Sequence, residues 1–299
     1  MQRKGFFLVF SLWLFLLLSL FCLGLAFRTF IEVKKTKLFL NKTRAFYLSL
    51  SGIKLAKEIL KEDSEVADYP QEQWALLAQE EIRANFTSPK KEGSLKVNIE
   101  DECSRININT LEHPNDPNGL TRNKLKKLFE EHDVEDFEKM INYMRDYIDS
   151  DDLTCAPDLL FSEEDNKDDL FTVVEELLLV KDVSKEDYEK ISQFLTIRGD
   201  KKININTARR ELLEVLIEGD VLKSQVFSVR AGENGVEGDE DDGYYGSAGT
   251  PLPLALATQF KTSSNFFRII SQANVENITK KITCILERDS GKIIYWYEE

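Results

Sequence analysis

From Phe6 to Phe27 the chain reads FFLVFSLWLFLLLSLFCLGLAF, a run with no charged residue, entered from Arg3, Lys4 and Gly5. At 1.5 Å per residue this is enough helix to cross a ~30 Å hydrocarbon core. A secretory signal has a shorter apolar core and a small-residue cleavage site behind it. Here Arg28, Thr29 and Phe30 follow and the helical pattern continues, so the segment is expected to be retained. Phe39, Phe46, Leu50, Ile53 and Leu60 then recur on one helical face, with Lys34, Lys35, Lys37, Lys42, Lys54 and Lys57 on the rest. The pattern predicts one helix from Phe6 to Lys61, apolar in its first half and amphipathic in its second. Gly52 is a weak point in it. The second half needs a surface to cover its apolar face, and a globular domain is the simplest one.

Further along, the spacing of Trp74, Leu77, Ile82 and Phe86 predicts a second helix over 71–86, ended by Ser88-Pro89. Leu95–Ile99 alternates and reads as a strand. The pattern Ile-Asn-Ile-Asn-Thr occurs twice, at Ile106–Thr110 and at Ile203–Thr207. Each copy alternates like a short strand, and its Asn-Thr end can cap a following helix. The two copies read as adjacent strand ends that bracket an insert. The insert, 111–198, reads as helical. Phe137, Ile141, Met144 and Ile148 share a face, 170–180 forms a further helix, and Ser184 caps another that runs to Phe194. After a short apolar run, Val226–Val229, and a long loop come three antiparallel strands. They cover Asn265–Ile270, Lys280–Leu286 and Lys292–Tyr297, with a hairpin turn at Glu287–Gly291. The class is α+β: a long helix, an antiparallel sheet and an all-helical insertion.

Charge narrows the function. Lys and Arg total 39 against 53 Asp and Glu, a net charge of -14, which speaks against nucleic-acid phosphate as a partner. It does not speak against a membrane, which the apolar run reaches by itself. With only two histidines, histidine-based acid/base or zinc chemistry has little material. No nucleophile motif, phosphate loop or dinucleotide fingerprint is present, so no enzyme is expected. None of the four cysteines has CxxC spacing. In an oxidising compartment Cys103 and Cys155 are the candidate disulfide; in a reducing one they are free thiols, with Cys284 buried in a strand.

Two acidic segments stand out. Asp146, Asp149, Asp151 and Asp152 follow a helix, and read either as calcium ligands or as a polar helix end. Between Gly232 and Gly243 acids and glycines alternate with no base among them. Uncompensated, this run repels itself and is mobile; Ca²⁺ held by Glu237, Asp239, Asp241 and Asp242 would order it.

Taken together, the leader, the double Ile-Asn-Ile-Asn-Thr motif and the segment Ile141–Asp151 resemble the K minor pseudopilin family of the type II (general) secretion pathway. Phe171–Asp182 is similar to that family's next helix. The resemblance implies a leader over 1–5 cut by prepilin peptidase between Gly5 and Phe6, with Phe6 methylated as the new N-terminus. It implies a helix over 6–62 spanning the inner membrane at 6–27. A periplasmic pilin-like domain would comprise 63–110 and 199–299, with a helical domain of 111–198 inserted in it. Most pilin-like proteins carry Glu at the fifth mature position; here it is Phe10, as in the K member. The implied function is to cap or initiate the pseudopilus tip with the I and J minor pseudopilins in support of protein export. Two other readings remain: a single-span membrane-anchored receptor or binding domain, and a type IV pilus minor pilin. The basic residues Arg28, Lys34, Lys35 and Lys37 just after the span, opposed only by Glu32, lean against the implied orientation.

Overall fold

The computed structural model describes residues 2–63, 66–87, 90–111, 119–148, 167, 169–239, 241–247 and 249–299. Asp149, Asp151, Asp152 and Cys155 lie outside the described residues.

One helix, α1 (Gln2–Glu62), runs through both halves of the predicted pattern, 61 residues and about 90 Å by helical rise. Up to Leu40 its described side chains are exposed, apart from a half-exposed Ile31. From Asn41 on, one face is covered: Ala45, Ser49, Gly52, Ile53, Ala56 and Leu60 are buried. Phe39, assigned by spacing to the covered face, is instead 72% exposed, because the domain begins one turn later.

A five-stranded antiparallel sheet lies against that face. Its strands are β1 (Ile82–Thr87), β2 (Lys90–Asp101), β7 (Phe266–Val275), β8 (Ile278–Glu287) and β9 (Lys292–Glu298), in the order β1-β2-β7-β8-β9. On β7 every second residue is buried: Phe267, Ile269, Ser271, Ala273 and Val275. This period of two turns one side of the strand onto α1. Phe267, Ile269 and Ala273 share a core with Leu95, Val97 and Ile99 of β2, Ile282, Cys284 and Leu286 of β8, and Ile53, Ala56 and Leu60 of α1. The second helix expected over 71–86 is only one turn, α2 (Gln73–Leu76), followed by a 3₁₀ turn at Leu77–Gln79. Ile82, Ala84 and Phe86 are also two apart, and that period prevails: the stretch pairs with β2, Ile82 opposite Leu95.

The remaining elements form the helical subdomain. They are α3 (Leu120–Glu131), α4 (Phe137–Ile148), α5 (Lys185–Ile191), α6 (Arg210–Leu216) and α7 (Asp220–Arg230), with a 3₁₀ segment, Val174–Leu179, where a helix over 170–180 was expected. The run Val226–Val229 is the last turn of α7, with Val226 facing inward. Leu125, Leu128, Phe129, Ile141, Met144, Leu212, Leu213 and Leu216 fill a second core. Both Ile-Asn-Ile-Asn-Thr copies feed it, through Ile106, Ile108, Ile203 and Ile205. The copies are not neighbours of each other. β3 (Ile106–Asn107) runs parallel to β4 (Leu195–Thr196), and β5 (Ile203–Asn204) runs parallel to β6 (Phe260–Lys261), because a chain segment returns beside each.

Gly52 is where the helix meets the sheet most closely. A Cβ there would lie inside contact distance of Ser271 Oγ and 2.9 Å from Val97 Cγ2. Ser271 Oγ in turn donates to Ser49 O at 2.8 Å. In an open helix Gly→Ala gains about 1 kcal/mol. At position 52 overpacking outweighs that gain, and Gly52→Ala is expected to destabilise by about 1–2 kcal/mol in denaturant unfolding of the full-length protein in detergent. Adding Ser271→Ala removes the obstructing oxygen, so the double variant should lose less than the two single losses combined. Strict additivity would mean the two side chains do not meet.

Candidate functional site

The residues singled out near the N-terminus all lie on α1. Gly5 is within the helix, and Phe6 and Phe10 follow on its exposed, apolar part. The rings of Phe6 and Phe10 are near parallel, with centroids 6.4 Å apart, so position 10 offers a second aromatic ring and no carboxylate.

The two repeated motifs are built alike. Asn107 Oδ1 accepts from Asn109 N, and Asn204 Oδ1 accepts from Asn206 N, each at 3.0 Å, so the first Asn folds the chain back on itself. The second Asn acts as a surrogate strand. Asn109 accepts from Phe171 N and donates to Phe171 O, both at 2.9 Å. Asn206 accepts from Tyr245 N at 2.8 Å and donates to Tyr245 O at 2.9 Å. A carboxamide carries one donor edge and one acceptor edge, which is what a lone backbone residue lacks when no strand lies beside it. The motif therefore serves as a joint. The first copy ties down the insert at Phe171, and the second ties down the segment after the acidic loop.

A buried polar belt joins the second motif to the sheet. Asp101, the last residue of β2, accepts from Cys103 N (2.7 Å), Thr207 Oγ1 (2.5 Å), Ser264 Oγ (2.6 Å) and Asn204 Nδ2 (3.1 Å). Next to it Arg288, in the predicted hairpin turn, forks onto Asp68 (2.7 and 2.8 Å) and reaches Asp63 at 2.8 Å. Glu72 accepts from Trp74 Nε1 at 2.5 Å and Tyr69 N at 3.1 Å, while its Oε1 is buried without a donor among the described residues. Burial raises the carboxyls of Asp68, Asp101 and Glu72. Asp101 is pushed up to about 6 against the pull of the Ser264 and Thr207 hydroxyls, and Glu72 to about 7 against its two donors. The carboxylate oxygens of Asp63, Asp68 and Glu72 lie within 4.8 Å of one another, as metal ligands would. Arg288 already supplies two of them with positive charge. In sequence Asp63 and Asp68 lie before the helix expected over 71–86 and Glu72 inside it, and nothing near them points to a partner more than two hundred residues on.

The acidic loop is ordered by groups outside it. Glu237 is held by Arg230 (3.0 Å) and Arg210 (3.3 Å), and Arg230 also donates to Ile205 O and Ala208 O beside the second motif. Asp239 and Asp241 share the Asn234 amide, at 2.6 and 2.8 Å, and Asp241 caps Glu233 N and Asn234 N. Asp242 accepts from Gly238 N and from Gln71 Nε2 (3.0 Å). The run is not uncompensated, because its bases come from α6 and α7. Asp242 Oδ1 and Gln71 Oε1 are buried acceptors without donors among the described residues, and both residues line a small cleft of about 160 Å³ with Arg230 and Glu237. Two spare oxygens suit a hard cation such as Ca²⁺. Asp239 and Asp241 face Asn234, and Glu237 faces two arginines. Gln71, Asn234 and Arg230 carry no signal of this role in the sequence. Cys103 is buried and has no disulfide partner among the described residues; its candidate partner Cys155 lies outside them.

Residues 104–200 match the family model described as type II secretion system (T2SS), protein K. No curated protein matches the chain. Among solved structures, one chain of "The Crystal Structure of the GspK-GspI-GspJ complex from enterotoxigenic Escherichia coli Type 2 Secretion System" is similar with a TM-score of 0.63 at 17% identity. The likeness covers 89% of this chain and 99% of that one, and it shows the fold: long helix, sheet and insertion together.

Two predictions follow from the buried polar groups. In Asn206→Ala, Tyr245 N and O lose their partner, and unfolding stability should fall by about 2–4 kcal/mol. Asn206→Gln, unable to reach both groups at once, should not rescue it. Glu72 and Asp101 bind a proton more tightly folded than unfolded, so their contribution to stability is greatest in acid. It is lost as pH rises from about 4 through their folded values near 6 and 7. Glu72→Gln should therefore match the parent at pH 5 and exceed it by about 1–2 kcal/mol at pH 8, read from denaturant midpoints. An equal difference at both pH values would refute the assignment.

Proposed function

We propose that the chain is a minor pseudopilin of the type II secretion system protein K family, a reading that the match over residues 104–200 supports, and that it caps and initiates the pseudopilus tip. The observation that carries this reading is the division of α1. Its apolar half is uncovered from end to end, while the domain and insert are packed at the other end. The sheet runs along α1 in one sense. Glu276, in the β7–β8 turn, reaches Asn41 at 2.7 Å, whereas Lys57 Nζ donates to Gly291 O at the far end of the sheet. The insert joins the sheet where β2 ends and β7 begins, so it lies at the end of α1 remote from the apolar half. Subunits packing side by side through their apolar helices would carry this insert above them, where it blocks further stacking. Phe10 offers no carboxylate to the N-terminus of a subunit ahead, which suits a position with none ahead.

In this reading prepilin peptidase cuts between Gly5 and Phe6, Phe6 is methylated, residues 6–27 cross the inner membrane, and the rest is periplasmic. The partners are the I and J minor pseudopilins, as the composition of the GspK-GspI-GspJ complex suggests by analogy. No active site is assigned, and support of protein export is by assembly. Intact-mass analysis of protein from a strain with the peptidase should give Phe6 as a methylated N-terminus, and the full-length protein should co-purify with I and J from solubilised membranes. An intact Met1, or failure to retain either partner, would refute the proposal and favour a membrane-anchored receptor.

Calcium belongs to this proposal through the acidic loop. Asp242 Oδ1 and Gln71 Oε1 are the spare oxygens, with Asp239 and Asp241 able to join by releasing Asn234. Bound there, the ion would tie the loop to the turn before α2. Isothermal titration of the full-length protein with CaCl₂ should give a binding heat that Asp242→Asn removes. No heat in the parent, or heat unchanged in the variant, would dismiss the site.

A further inference from the structure

We propose that the uncovered stretch of α1 between the membrane span and the domain is a docking collar for anionic phospholipid headgroups. The inference rests on reading Phe6–Phe27 as a membrane span. The whole chain is acidic, with a net charge of -14, yet residues 28–42 carry Arg28, Lys34, Lys35, Lys37 and Lys42 against Glu32 alone. Arg28, Lys35 and Lys42 are seven apart and share one stripe of the helix. The domain does not reach this stretch until the Lys37–Glu276 pair at 3.4 Å, about 15 Å of helix beyond Phe27, and the Asn41–Glu276 bond, about 20 Å beyond it.

The geometry directs these cations toward the bilayer. Side chains on an α-helix lean toward its N-terminus, which here is the membrane end. Lys34 Nζ lies 4.4 Å from the centre of the Phe30 ring, one turn nearer the span, and Lys35 Nζ lies 3.5 Å from Glu32. By helical rise Arg28 is at the hydrocarbon edge and Lys34, Lys35 and Lys37 are about 10–15 Å beyond it. The headgroup layer adds roughly 5–7 Å and the screening length at physiological salt is ~8 Å, so all four cations fall within the field of an anionic surface. Phe30 and Val33, both exposed, supply apolar surface at the same level. This distribution accounts for cations on the side of the span that the positive-inside rule disfavours. Their long apolar stems suit the interface, where the charge finds lipid phosphate. A tilt of α1 toward its basic stripe would bring Lys35 and Lys42 down onto the phosphates.

The test uses full-length protein in nanodiscs of phosphatidylcholine alone or of phosphatidylcholine and phosphatidylglycerol at 7:3. An environment-sensitive fluorophore is placed at Phe39→Cys in a Cys22→Ser/Cys155→Ser background, with Cys103 and Cys284 buried. We expect a blue shift of several nanometres and at least a twofold drop in acrylamide quenching in the phosphatidylglycerol discs only. Both effects should vanish in Lys34→Gln/Lys35→Gln/Lys37→Gln and in 0.5 M NaCl. Equal quenching in the two lipids overturns the collar. So does protection that arises in both lipids only on adding other pseudopilins, because the stretch then docks protein. Failure to enter nanodiscs at all would remove the membrane-span reading itself and is seen separately, in the yield of incorporated protein.

Discussion

A single helix that serves two solvents constrains everything else in this molecule. Its first half has side chains only lipid or another apolar helix can cover, and its second half must hold a folded domain. The junction with the sheet is a close one. Ala45, Gly52 and Ala56 present almost no side chain, and both serines at the interface find carbonyls: Ser49 Oγ donates to Lys280 O at 2.7 Å, and Ser271 Oγ to Ser49 O. Small residues allow backbone-to-sheet approach, and each serine hydroxyl there donates to a backbone carbonyl across the junction. With β2, β7 and β8 pinned in this way, the end of β2 and the start of β7 are brought together at a fixed point. That point is where the second motif is anchored.

From this point the architecture follows by polar rather than apolar contact. Asp101 collects four donors from three separate segments of chain, and Arg288 closes the adjoining turn onto Asp63 and Asp68. Directional bonds specify one arrangement where an apolar seam would tolerate several. The belt is thus suited to fixing the helical subdomain's orientation on the sheet. The repeated motif solves the same problem twice. Wherever the chain must pass a lone segment with no strand beside it, an Asn supplies the missing donor and acceptor. Similar joints arise in two places because the physical demand is the same in both.

How much of this could be read in advance depended on the range of the interaction. The long helix, the last three strands and the Ser184 cap rest on local periodicity or on a side chain bonding three residues away, and these are visible in sequence. The stretch 71–86 shows the limit. Trp74, Leu77, Ile82 and Phe86 fit a helical face, yet Ile82, Ala84 and Phe86 also fit a strand, and only pairing with β2 decides between them. The repeat was visible as a pattern, but its partners Phe171 and Tyr245 were not, since neither is marked by composition. The acidic loop misled for the same reason. Its own residues carry no base, and Arg210 and Arg230, which neutralise Glu237, lie on helices that pattern alone did not bring to it. Asp63 and Asp68 precede the helix expected over 71–86 and Glu72 falls within it, and none of the three shows its partner in sequence because Arg288 is remote.

The layout also separates two kinds of task by distance. Gly5, Phe6 and Phe10 are at one end of α1, and the polar belt begins at its other end, about 80 Å away by helical rise. Among the described residues no packed side-chain network crosses the uncovered stretch up to Leu40, so nothing there couples the N-terminal end of α1 to the insert. What the helix transmits is position. A long rod, long and apolar enough in its first half to cross a membrane, would fix the height at which the sheet stands, and the belt fixes how the insert is carried on the sheet. A subunit that acts by occupying a place needs these two rigid joints and no moving part between them. The basic stretch after the apolar half sets this part of the rod apart from the acidic remainder of the chain, and under the proposed reading it is the part that an anionic bilayer surface would attract.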